Sequence, residues 1–183
     1  MKNSGNSAIL RRAAVSGTLG GLAAATAASL AGKCEDGSYA APLNATSHIL
    51  WGDEAAGKDG ASLKYTLTGF LLNHGSAIFW AWFYEKLFGA RVAGAVGSSY
   101  ANGHANGRGT KGRTPRPSLA QPILGAAAVA TGAYVIDYHL IPKRFTPGFE
   151  KRVSGKSLAA IFVTLAIGLA ARDLIDAAKA RRK

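Results

Sequence analysis

Charge is segregated along this chain more strictly than any other property. Residues 13–31, 65–84, 118–136 and 157–171 contain no Asp, Glu, Lys or Arg, so all of the charge lies between or beyond these four runs. A membrane-crossing helix needs ~20 mostly apolar residues to traverse a ~30 Å hydrocarbon core. The sequence therefore predicts an all-α integral membrane protein, one membrane domain over 1–183. Its four transmembrane helices, at about 13–32, 65–86, 119–141 and 157–176, form an up-down bundle. The overall composition, 48% hydrophobic in 183 residues, would suit a soluble domain and conceals the pattern.

The balance of 22 Lys and Arg against 10 Asp and Glu raises nucleic-acid binding as a reading. That reading needs basic patches on one soluble surface with aromatics among them. Here the charges flank apolar runs, and Phe79, Trp80, Trp82 and Phe83 lie inside one. Basic flanks that remain cytoplasmic and meet anionic headgroups explain the excess more simply, so no nucleic-acid partner is expected. With both termini inside, fourteen Lys and Arg fall on the cytoplasmic side and eight on the other, which the positive-inside rule favours. The exception is the translocated loop 143–156, with five basic residues; Glu150, Glu35-Asp36, Asp53-Glu54 or an acidic lipid is expected to partner them.

The first run is Ala-, Gly-, Ser- and Thr-rich and follows Arg11-Arg12. Either a cleaved signal segment or a retained helix fits, and its length favours the helix. Gly17 and Gly21 then form a GxxxG pair that lets a second backbone approach closely. Within the connection 33–64, the stretch 42–56 is read as a short helix lying at the membrane surface, anchored by Trp51. The Gly-, Ser-, Asn- and Pro-rich segment 93–117 reads as a flexible basic linker. Cys34 stands alone, which excludes an internal disulfide.

Six polar residues fall toward the outer face in this topology: Asn44, His48, His74, Asp137, His139 and Glu150. His74 is the most anomalous, ~14 Å into an apolar helix at the helical rise per residue. It is either a metal, proton-relay or ligand contact, or a neutral imidazole hydrogen-bonded across the bundle to a hydroxyl. Asp137 and His139 point to opposite sides of a helix. Asp137 is expected to face inward and pair with His74 or a cation of the 143–156 loop, and His139 to anchor at the interface. His48, His74 and His139 are the candidate metal ligands, but no HxxxH, HxxH or HExxH spacing fixes a geometry. No metal or other cofactor is therefore expected.

The pairing of "PLNATSHILWGDEAA" with "DYHLIPKRFTPGFEKR" resembles segments of small uncharacterised bacterial inner-membrane proteins. The resemblance implies a multi-pass protein of the bacterial inner membrane and implies no activity. The function expected is that of a binding, accessory or assembly component rather than an enzyme. Its partners are the bilayer with its anionic lipids and a larger membrane complex or homo-oligomer. A membrane metal- or haem-dependent redox enzyme and an oligomeric transporter or channel protomer are the alternatives.

Overall fold

The computed structural model describes residues 3–105 and 117–182, and among them every regular element is helical. Three helices are long and apolar enough to cross a membrane: Gly5–Asp36, Ala120–Leu140 and Gly155–Arg181. The first belongs to α1 (Asn3–Asp36) and the last is α7 (Gly155–Arg181). The middle one joins α6 (Ala120–Val135) to a single π-helical stretch, Ile136–Leu140.

The expected span 65–86 is a helix but is not among those three. It comprises α4 (Thr68–Tyr84), bracketed by π-helical stretches at Leu63–Leu67 and Glu85–Gly89, and α5 (Ala90–Ala105) continues it. Asn73, His74 and Ser76 interrupt its apolar run. They do not break the helix, because Asn73 and His74 both turn toward α1, where the Asn73 amide donates to the Gly21 carbonyl at 3.1 Å.

α1 lies between α4 and α7 and makes the most extensive contacts of any element. Gly17 stands against Ile78 of α4, and Gly21 against Ala77 and His74. On its other side the backbone of α1 crosses α7 with no side chain between them: a Cβ on Gly168 would stand 2.4 Å from the Gly20 Cα. Small residues permit such a close approach of two helix backbones.

Two expectations are corrected here. Residues 42–48 do not lie along a surface, whereas most of 49–56 is exposed or half-buried. α2 (Ala41–Thr46) is wholly buried, and α3 (His48–Trp51) turns out from it. Pro42 packs under Gly32 at the end of α1, and the Leu43 carbonyl rests on Gly69 of α4. Residues 41–48 form a plug between helix ends, and the stretch after them reaches outward, with Leu50, Asp53 and Glu54 exposed and Trp51 under the Lys64 ammonium.

The second correction concerns the linker, which does not begin at residue 93, since α5 remains helical through Ala105. Val92 and Val96, one turn apart, pack on Ala177 of α7, and that apolar stripe outweighs the cost of Gly94 and Gly97. The rest of the expected linker lies largely outside the described residues.

Candidate functional site

At the α2 end, the Asn44 amide nitrogen donates to the carbonyls of Lys58 (2.8 Å) and Gly60 (3.0 Å), while its oxygen accepts from the Thr66 hydroxyl (2.6 Å). A buried amide has few more bonds to make, so Asn44 ties the 58–60 loop to the plug. His48 is equally enclosed. Its Nδ1 lies 2.8 Å from the Ala45 carbonyl and its Nε2 3.3 Å from that of Lys143, which joins α2 to the 143–149 loop. The loop closes over α2 at Gly148, whose φ of +80° and whose distance of 2.6 Å from the Ala45 carbonyl to any added Cβ exclude a side chain.

Two of the five basic residues of the loop pair with acids, of which Asp36 and Asp53 are among those expected and Asp59 is not. Lys151 meets Asp53 at 2.5 Å, and Arg152 bridges Asp36 and Asp59. Glu35 accepts from the Ser154 amide and hydroxyl and from Ser157. The hydrogen bond and charge of Lys151 hold the Asp53 carboxyl below its ordinary range, and bonds from Lys58 and Tyr65 do the same for Glu54. Glu150 remains exposed and accepts from Thr146 (3.1 Å).

His74 sits at the α1–α4 contact. Its Nε2 is 3.3 Å from the Thr18 hydroxyl, and its ring stacks on Phe70. The Nδ1 faces the Gly21 backbone and has no hydrogen-bond partner.

Asp137 and His139 separate as the helix geometry requires. His139 is exposed, edge-on to Tyr134, whereas Asp137 is half-buried. Asp137 pairs neither with His74 nor with the 143–156 loop; it lies beside the Trp80 indole of α4. The six residues thus do not converge on one place, and among the described residues no group of three or more His, Cys, Asp or Glu is arranged to hold a metal ion.

The largest concentration of buried charge lies at the opposite end of the helices. Arg12 of α1 donates from Nε to Glu85 (2.7 Å), and from Nη2 to Asp173 of α7 (2.6 Å) and the Gly89 carbonyl (3.2 Å). Ser16 donates to the other Glu85 oxygen and the Tyr84 hydroxyl to the other Asp173 oxygen, each at 2.9 Å. Glu85 and Asp173 are each 1% exposed. Glu85 opens a π-helical stretch, an irregularity that redirects side chains and recurs at functional sites.

In the sequence Arg12, Glu85 and Asp173 each stand at the end of a different uncharged run, and Asp173 is adjacent to Arg172. Asp173 faces inward, and Arg172 turns to Asp176. The signal available was that two carboxylates and an arginine share one depth at the inner ends of three runs.

The α2 end also holds a partly open cavity of about 230 Å³ between α4, the end of α6, α7 and the 145–149 loop, bordered by Asn73, Ser76, Trp80, Asp137, Phe149 and Phe162. An apolar groove between α4 and α6 shares three of these, Ser76, Trp80 and Asp137. No protein-family description matches the chain, and neither a curated protein nor a solved structure is significantly similar to it.

Proposed function

We propose that the chain is a four-span, up-down protein of the bacterial inner membrane, with both termini cytoplasmic, that acts by binding as an accessory or assembly component. One observation carries the reading: large apolar side chains project outward from the long helices, while ionisable and polar groups are buried between them. Leu71, Phe79, Ile123, Leu124, Val163 and Ile167 project outward, each more than half exposed, where water would impose a large unfavourable apolar surface. Arg12, Glu85, Asp173, Asn44 and His48 are the groups held inside. Leu63–Gly89 serves as the fourth span although it is not among the three helices long and apolar enough to cross, since Asn73 and His74 bond to α1 and are hidden from lipid.

Cation and aromatic pairs mark the two interfaces, Lys64 with Trp51 and Tyr65 outside and Lys86 with Trp82 inside. Binding is favoured over catalysis because Asn44, His48 and Asn73 are committed to backbone carbonyls, which leaves them scaffold roles. Washing membranes with alkaline carbonate tests the membrane assignment. The protein should stay in the pellet, and its release into the supernatant would contradict it.

A further inference from the structure

Asp137 has no cation: among the described residues no Lys, Arg or His pairs with it. Its neighbour is the Trp80 indole, and both side chains border the cavity and the groove between α4 and α6. A carboxylate in an apolar helix is expensive and implies a partner.

The rest of the polar lining points the same way. The Asn73 amide gives one of its two N–H groups to the Gly21 carbonyl and keeps its oxygen as an acceptor, and the Thr46 hydroxyl donates to the Pro42 carbonyl. The cavity therefore offers acceptors inside an aromatic and aliphatic wall of Trp80, Phe149 and Phe162. Its volume also sets a size. A cavity of about 150 Å³ holds benzene, so about 230 Å³ holds one ring with a short chain.

We infer that this cavity binds a small apolar ammonium compound, its charged head against Asp137 and its hydrocarbon body among Trp80, Phe149 and Phe162, reached from the bilayer through the α4–α6 groove. The inference rests on the membrane-binding reading above and gives that reading a ligand class. The groove, lined by Phe79, Phe83, Ala128, Val129, Gly132 and Ile136, meets the cavity at Ser76, Trp80 and Asp137, so a compound dissolved in lipid reaches the carboxylate without crossing water. The chain's net charge of +12 repels cations in general, and retention of one by this protein requires a local anionic site.

The test uses the full chain purified in a neutral detergent, with Trp51→Phe and Trp82→Phe leaving Trp80 as the reporter. Its probes are 2-phenylethylamine as the cation and 2-phenylethanol as the neutral analogue. The amine should change Trp80 fluorescence saturably, with a Kd at least tenfold below that of the alcohol. Asp137→Asn should weaken the amine at least tenfold and the alcohol less than twofold. Ser76→Phe sits at an exposed position and blocks the junction without disturbing the core; it should weaken the amine at least tenfold, so the inference stays testable where Asp137→Asn fails to fold. Equal affinity for amine and alcohol, or amine binding that survives both substitutions, overturns the inference. Loss of the ligand while carbonate-washed membranes retain the protein removes the ligand class alone; release from the membrane removes the reading beneath it.

Discussion

The Arg12 guanidinium and the Asp173 carboxylate, 161 positions apart in the chain, meet at 2.6 Å between α1 and α7. Glu85 completes the cluster from the helix on the other side of α1. One forked cation thus engages both neighbours, and Ser16 and Tyr84 fill the remaining carboxylate positions. A buried ionic group of this kind adds little net stability over an apolar replacement, but removing one member is costly. Its consequence is register: an axial slip of any one helix breaks bonds to the other two.

Arg12→Leu leaves two buried carboxylates without their cation and should destabilise the protein by ~3–5 kcal/mol. Arg12→Lys lacks the planar fork and should fall between it and wild type. The triple replacement Arg12→Met, Glu85→Gln, Asp173→Asn removes charge from all three partners and should recover most of the loss. Thermal unfolding in detergent ranks the variants; an Arg12→Leu protein as stable as wild type would contradict the arrangement.

Gly168→Val forces a branched side chain into the crossing with Gly20 and should cost ~1–3 kcal/mol, as overpacking does. Gly75 has nothing within 4 Å of an added Cβ. Gly75→Ala should stabilise α4 by up to ~1 kcal/mol, the helix-propensity difference between the two residues. Melting temperatures moving in opposite directions would support the contrast, and parallel shifts would refute it.

The long helices are legible in the sequence because charge avoids them over a length that hydrocarbon thickness dictates. The acidic partners of Lys151 and Arg152 are legible too, since the connection 33–64 supplies its carboxylates on the same side as the loop. The Arg12–Glu85–Asp173 cluster is not. Each member ends a different run and, taken singly, has the pattern of a headgroup anchor; only their shared depth distinguishes them.

The π-helical stretches at Glu85 and Asp137 leave no mark in composition, yet they begin at or beside the carboxylates that matter. Burial of 41–48 was hidden by its polarity, because Asn44 and His48 satisfy their polar groups with backbone carbonyls rather than with water. In 93–105, glycine content suggested a linker, but packing of Val92 and Val96 on Ala177 decided the conformation.

Asn44→Ala removes three hydrogen bonds that join α2, the 58–60 loop and Thr66. At ~0.5–1.5 kcal/mol each, the loss should be ~2–4 kcal/mol. Limited proteolysis should detect it first as cleavage in residues 52–62. Unchanged proteolysis and melting would show that the amide is dispensable.

Asp53 and Glu54 have carboxyl groups held low by Lys151, Lys58 and Tyr65. A depressed folded-state pKa contributes stability above the ordinary carboxylate range, ~4, and that contribution is lost as pH falls below it. Acidification from pH 6 to pH 3 should therefore loosen the 143–156 loop before the helices. Both carboxylates are exposed and their pairs are screened, so high salt at pH 6 should produce part of the same effect. Hydrogen exchange that rises first in the helices would contradict the prediction.

The central claim, a multi-pass protein with both ends inside, is tested most directly by its single thiol. Cys34 is exposed at the end of α1 beside the outer connection. A membrane-impermeant maleimide applied to intact cells with a permeabilised outer membrane should label it. In a Cys34→Ser background, Ser118→Cys at the start of α6 should react only after the inner membrane is broken. Labelling of residue 118 with protection of residue 34, or equal labelling of both in intact cells, would contradict the account.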